Sequence, residues 1–70
     1  MTIADRLVSA LVARGGKEVA SASRKYRHVS LDGRDYWIGK SGALRAGRTA
    51  TTSASLSGTS VYHQLLREVK

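Results

Sequence analysis

The tripeptide Gly39-Lys40-Ser41 is the part of the sequence most suggestive of ligand chemistry. A phosphate-binding P-loop consists of a glycine, four further residues and then Gly-Lys-Ser/Thr. It lies between a buried strand and a helix. Here the five residues 34–38 separate Gly33 from the second glycine, and Gly42 comes directly after the serine. Neither the glycine spacing nor the flanking sequence fits a P-loop, so we interpret this segment as a turn with Lys40 at its exposed tip.

Catalytic and metal-binding residue types are sparse. Asp32 and Asp35 are the only carboxylates close together in sequence, and Asp32 is predicted to form a turn. His28 and His63 are far apart, and the chain has no cysteine, which leaves no arrangement typical of acid–base, nucleophilic or zinc chemistry. We therefore expect no enzymatic activity, no catalytic residue, no metal, no cofactor and no small-molecule substrate.

The charge of the chain is strongly positive. Twelve Lys and Arg face five Asp and Glu, which gives a net charge of +7. Seven of these cations lie between residues 24 and 48, against only Asp32 and Asp35. Such a field favours a polyanionic partner, either nucleic acid or an acidic protein surface.

An amphipathic helix is predicted over residues 3–14. Thr2 and Asp5 have the spacing of a capping box, apolar residues follow at helical spacing, and Gly15 and Gly16 end the pattern. Asp5 and the lack of a basic cluster argue against a targeting peptide.

A second helix is predicted over residues 61–69, with Ser60 as its cap. No apolar run is long enough to span a membrane, so we expect a cytoplasmic protein without membrane contact.

A β-hairpin is the clearest prediction in the middle of the chain. Asp32-Gly33 separates two runs rich in β-branched and aromatic residues, which is typical of a two-residue hairpin turn between strands at about 26–31 and 34–39. The resulting register divides the side chains between two faces. Val29, Leu31, Tyr36 and Ile38 share the aliphatic face, and Tyr26, His28, Ser30, Asp35 and Trp37 share the other.

The remaining segments are less regular. Residues 43–47 are predicted as a third strand, and an even-length turn places Leu44 on the Trp37 side of the sheet. Residues 17–25 show no clean period and are predicted to be mostly loop. Eight of the twelve residues 49–60 are Ser or Thr, which indicates an irregular loop. The prediction is one α+β domain, 1–70, comprising a helix, a three-stranded antiparallel meander and a second helix.

The positions of the two helices are open at this stage. We favour both helices on the aliphatic face, because that core needs both of them to be sizeable. In the alternative, the C-terminal helix covers the other face and packs Tyr62 and Leu65 on Trp37.

A binding surface is predicted on the hairpin and its flanks, where aromatic rings lie among cations. Aromatic rings bordered by Lys and Arg bind single-stranded nucleic acid by base stacking, whereas a basic β-ribbon can enter a groove of a nucleic-acid duplex. The candidate residues for binding nucleic acid or another partner are Lys25, Tyr26, Arg27, His28, Arg34, Trp37, Lys40, Arg45 and Arg48.

The order of elements resembles the small head–tail joining proteins of tailed phages, of the lambda W type. The segments that carry the resemblance are ADRLVSALVARGGK, VSLDGRDYWI and VYHQLLREV. In that family the second helix closely follows the hairpin, whereas residues 39–60 intervene here. The resemblance implies a non-enzymatic adaptor at the portal vertex of a virion, docked on a protein ring. The alternative is a nucleic-acid-binding module that uses the basic aromatic ribbon.

Overall fold

An antiparallel sheet and two helices make up the fold, which we describe from a computed structural model for residues 2–21, 24–49 and 52–68. The elements in chain order are α1 (Ile3–Ala13), β1 (Lys17–Val19), β2 (Tyr26–Leu31), β3 (Arg34–Gly39), β4 (Leu44–Ala46), β5 (Ala54–Ser55) and α2 (Ser60–Glu68). Each strand pairs antiparallel with the next. The predicted α+β class is confirmed, but the sheet has five strands rather than three.

Helix α1 begins and ends with local hydrogen bonds that its sequence encodes. The Thr2 hydroxyl accepts a bond from the Asp5 N–H at 3.1 Å, and the Asp5 carboxylate accepts one from the Thr2 N–H at 3.3 Å. At the other end Gly15 has a φ of +102°, and the Gly16 N–H donates to the Leu11 carbonyl at 2.9 Å. These are a capping box and a Schellman-type stop, as the sequence predicted.

The hairpin between β2 and β3 has the predicted two-residue turn. Asp32 and Gly33 have φ angles of +50° and +77°, which a type I′ turn requires at both central positions. Leu31 lies opposite Arg34. The division of β2 and β3 side chains between two faces therefore follows the predicted register.

Strand β1 is a correction, because residues 17–25 were predicted to be mostly loop. Lys17–Val19 pairs along β2, although all three residues are exposed and show no alternation. Gly16 brings the chain back from α1 against that strand. A Cβ at Gly16 would lie 2.7 Å from the Leu11 carbonyl oxygen and 3.0 Å from Val29 Cγ1. This close approach, rather than strand propensity, positions β1.

The Ser/Thr-rich tract is also more ordered than predicted in the part that the structure describes. Ala54–Ser55 forms β5 against β4, and Ser53 is buried. The Thr52 N–H donates to the Thr49 hydroxyl at 3.1 Å. Residues 50 and 51 of the predicted loop lie outside the described residues.

The register of β4 corrects the predicted position of Leu44. Leu44 pairs with Ile38 rather than with Trp37 or Gly39, and its side chain is fully buried. The turn is odd in length, because the Gly39 N–H bonds the Ala43 carbonyl at 2.8 Å with three residues between them. A one-residue change in the turn moves every following side chain to the opposite face, and burial of this leucine favours the odd turn.

Both helices lie on the aliphatic face of the sheet. Arg6 Nη2 donates to the Leu66 carbonyl at 2.7 Å, and Arg14 forms an ion pair with Glu68 at 2.6 Å, so α2 is joined to α1. The main buried cluster consists of Ala4, Leu7, Val8, Ala10, Leu11, Val29, Ile38, Leu44 and Leu65. Leu65 thus belongs to this core and does not cover the Trp37 side of the sheet.

Helix α2 starts one residue earlier than predicted and has a different cap. The Thr59 hydroxyl, not that of Ser60, accepts a hydrogen bond from the Tyr62 N–H at 3.3 Å. The Thr59 carbonyl accepts the first helical bond, from the His63 N–H at 3.1 Å. Val69, at the predicted end of the helix, lies outside the described residues. Neither helix, within the ranges described, is long and apolar enough to cross a membrane.

Candidate functional site

The sheet face that points away from the helices carries much of the predicted site. We call it the open face. Cross-strand partners share a face, so one row runs across all five strands. This row consists of Val19, His28, Trp37, Arg45 and Ser55.

Trp37 is buried on the open face, although no helix covers it. Only 5% of the residue is exposed. The His28 ring stacks on the indole with a centroid distance of 4.0 Å and an interplanar angle of 17°. The indole Nε1 donates to the Gly47 carbonyl at 2.9 Å. Trp37 therefore offers little accessible ring surface to a stacking base.

His28 and Arg45, the neighbours of Trp37 in this row, are also held by internal bonds. His28 Nε2 lies 2.8 Å from Asp35 Oδ1, which fixes the ring in its stacked position. Arg45 Nε donates to the Ser53 hydroxyl at 2.8 Å, and its Nη2 donates to the Ser53 carbonyl. The centre of the open face is therefore an internal polar network that holds the segment after β4 against the sheet.

Arg27 lies on the helical side of the sheet and bridges three elements. Its Nη1 contacts Asp5 at the start of α1 at 2.7 Å. Its Nε and Nη2 bond both carboxylate oxygens of Glu18 in β1, at 2.7 and 2.9 Å. These bonds raise the pKa of Arg27 and lower the pKa of Glu18. The pKa of Asp5 is also lowered, first by its bonds with Thr2 and then by Arg27. Arg27 is thus committed to an internal role.

A concavity at one end of the β2–β3 ribbon collects several of the predicted residues. We call it the Tyr26 concavity, and its volume is about 340 Å³. It is lined by Arg24, Lys25, Tyr26, Gly39, Lys40, Ser41 and Ala43. The Gly39-Lys40-Ser41 turn thus meets the residues that lead into β2. Arg24 was missing from the predicted set, although its position beside Lys25 in a cation-rich segment was a signal for it.

A second concavity lies at the hairpin end of the same ribbon and also has a volume of about 340 Å³. We call it the hairpin-end concavity. It is lined by Gly33, Arg34, Asp35, Ala46, Gly47 and Arg48. Arg34 and Arg48 are exposed, and Asp35 is held by His28. The two concavities are separated by the length of β3, five residue steps or about 17 Å.

The structure therefore divides the nine predicted binding residues into two groups. Five line the two concavities: Lys25, Tyr26, Arg34, Lys40 and Arg48. The other four are held by internal contacts: Arg27, His28, Trp37 and Arg45. The accessible part of the predicted site is thus at the two ends of the ribbon, not at its centre.

Three of the five acidic side chains lie outside the β2–β3 hairpin. Two arginines, Arg14 and Arg27, take up three of the five acidic side chains in the chain. All three of these carboxylates belong to α1, β1 or α2. Asp32 and Asp35 are the acidic residues of the β2–β3 hairpin. Five of the twelve cations therefore line the two concavities, and the hairpin also carries two of the five acids, one of which, Asp35, lines the hairpin-end concavity.

Neither a search for metal-binding clusters nor comparison with known proteins indicates a further site. Within residues 2–21, 24–49 and 52–68, no group of three or more His, Cys, Asp or Glu side chains could hold a metal ion. Comparisons with protein-family models, curated proteins and solved structures find no match to this chain.

Proposed function

We propose that this protein is a non-enzymatic module that binds the phosphate backbone of nucleic acid through the two ends of its β2–β3 ribbon. The observation that carries the proposal is the grouping of cations described above. Five cations line the two concavities, with Asp35 in the second of them. The described arginine ion pairs engage three of the five acids, Asp5, Glu18 and Glu68, which lie outside the hairpin. A linear polymer with regularly spaced negative charges fits two cationic sites about 17 Å apart better than a single compact anion does.

The roles of the histidine and its carboxylate support binding rather than catalysis. His28 is stacked on Trp37 and bonded to Asp35, so both groups already hold the open face together. A general base must instead reach a proton on a bound substrate. The proposal therefore assigns no residue a catalytic role.

Salt dependence of binding is the test. We would measure the affinity for a fluorescently labelled DNA duplex and for one of its strands by anisotropy, across a range of salt concentrations. Contact of all five cations with phosphates predicts a slope of log K against log salt of about −4.5 for the duplex and about −3.5 for the single strand. If neither the duplex nor the single strand binds at physiological salt, the proposal is refuted.

A matched pair of variants separates local contact from the overall charge. Lys40→Gln and Arg67→Gln each remove one positive charge from an exposed residue. Lys40 lines the Tyr26 concavity, whereas Arg67 is in the last turn of α2. We expect Lys40→Gln to make the salt slope shallower by about one and Arg67→Gln to leave it unchanged. Equal effects of the two variants would contradict a localised interface.

The head–tail adaptor role implied by the resemblance is our second proposal. Three large apolar side chains on the helices are exposed, Ile3 at 43%, Val12 at 45% and Val61 at 37%, and such residues suit contact with a protein. Docking through apolar contacts predicts association that persists at high salt. Nucleic-acid binding by the first proposal weakens steeply under the same conditions.

A further inference from the structure

The Tyr26 concavity combines an aromatic ring with cations, and no other described aromatic side chain has this setting. Trp37 is buried under His28, and Tyr36 and Tyr62 pack against the main core. Tyr26 is partly exposed and lines a concavity with Arg24, Lys25 and Lys40. The size, about 340 Å³, is within the range of sites that hold small organic groups.

The Tyr26 ring packs against the residue opposite it in the sheet. Tyr26 pairs with Gly39 across the β2–β3 ladder. A Cβ at Gly39 would lie 3.4 Å from Tyr26 Cε1 and 3.7 Å from Cδ1, so the ring packs against this glycine. The lack of a side chain at Gly39 thus leaves room for the ring, and the adjoining turn residues, Lys40 and Ser41, line the same concavity.

We infer that the Tyr26 concavity binds one unstacked nucleotide of a single strand, with its base against the Tyr26 ring and its phosphate between Arg24 and Lys40. This inference rests on the proposed function and names the form of nucleic acid. Bases stack on aromatic rings in sites that also carry cations for the backbone. Bases within a duplex are stacked on one another and cannot reach such a ring. The protein therefore prefers a single strand to a duplex.

The first test uses the wild-type protein with three labelled oligonucleotides at physiological salt. They are a twelve-nucleotide single strand, the matching duplex, and a single strand of the same length that lacks bases. Loss of the stacked base predicts binding of the abasic strand about 5- to 150-fold weaker than that of the normal strand. Equal binding of the normal and abasic strands would overturn the inference while leaving the proposed function intact.

The second test changes the ring. Tyr26→Leu removes the aromatic face, whereas Tyr26→Phe retains it as the matched control. We expect Tyr26→Leu to weaken single-strand binding by about 5- to 150-fold with no more than about a twofold change for the duplex, and Tyr26→Phe to bind both as wild type does. Equal losses of single-strand and duplex binding in Tyr26→Leu would overturn the inference.

A third measurement requires no variant and therefore does not depend on the folding of Tyr26→Leu. The aromatic ring resonances of Tyr26 in the wild-type protein are followed by NMR during titration with the single strand and with the duplex. Stacking predicts upfield shifts with the single strand and not with the duplex. Unchanged ring resonances at saturation with the single strand would overturn the inference. If neither oligonucleotide binds at physiological salt, the proposed function fails as well.

Discussion

Gly47 allows the segment after β4 to lie against the sheet, and Gly47→Ala tests this packing. A Cβ at position 47 would be 2.6 Å from Ser53 Cα and 2.9 Å from Ser53 Cβ. Carbon atoms in contact are normally about 3.5–4.0 Å apart, so the two segments must separate by about 1 Å. That separation strains the bonds that Arg45 makes to Ser53 and that Trp37 makes to the Gly47 carbonyl.

The cost of Gly47→Ala follows from two opposing effects. Overpacking of this kind typically costs about 1–3 kcal/mol. Replacing glycine by alanine also reduces the conformational entropy of the unfolded chain, which stabilises the folded state by about 0.4–1 kcal/mol. We therefore expect the free energy of unfolding to fall by about 1–2 kcal/mol, which lowers the melting temperature of a domain of this size by about 4–16 °C.

Urea unfolding followed by circular dichroism and tryptophan fluorescence measures this effect. Trp37 is the single tryptophan of the chain, so its emission reports on the altered region directly. We expect the emission of folded Gly47→Ala to shift towards that of a more exposed indole. An unfolding free energy within about 0.5 kcal/mol of wild type, together with unchanged emission, would refute the packing described here.

Gly58→Ala is the control for a glycine substitution without a steric clash. Gly58 has a φ of +79°, and no heavy atom lies within 4 Å of its added Cβ. Its cost of about 1–2 kcal/mol comes from the left-handed backbone alone. The emission of folded Trp37 should therefore be unchanged in Gly58→Ala, in contrast to Gly47→Ala.

Two further predictions concern the core and the ion pairs. Leu44→Ala should lower the free energy of unfolding by about 2–5 kcal/mol, measured by urea unfolding, whereas a loss below about 1 kcal/mol would mean that Leu44 lies outside the core. Hydrogen bonds lower the pKa of Asp5, Glu18 and Glu68 from ordinary values of 3.8, 4.5 and 4.5. The ionised carboxylates therefore stabilise the fold fully at a pH above their ordinary pKa values. This contribution is lost as the pH falls through their lower pKa values in the folded protein. Arg27→Gln removes a partner of two of these carboxylates, and thermal melting between neutral pH and about pH 2 should then show a smaller loss of stability on acidification; an acid dependence identical to wild type would contradict this role for Arg27.

Elements set by short-range interactions were predictable from the sequence. The capping box of Thr2 and Asp5 joins residues three apart. The Asp32-Gly33 turn places two residues at positive φ and so fixes the register of β2 and β3. These features depend on backbone preferences and neighbouring side chains, which the local sequence states directly. The predicted division of the hairpin side chains between two faces is confirmed for the same reason.

The candidate site was only partly predictable, because its accessibility depends on distant residues. Charge and aromatic content identified the hairpin region, and five of the nine named residues line its concavities. No sequence pattern indicated that Arg27 would contact Asp5 and Glu18. Nor did it indicate that Trp37 would be buried with its indole bonded to Gly47.

By itself the sequence determined the element types that local chemistry encodes, the excess of positive charge and its concentration in the hairpin region. Tertiary structure decided where that charge is accessible. The parity of the turn before Leu44 sent this residue into the core, and the approach of Gly16 to Val29 added β1 to the sheet. Both outcomes depend on which surfaces can be buried together, and contacts between residues far apart in the chain decide burial.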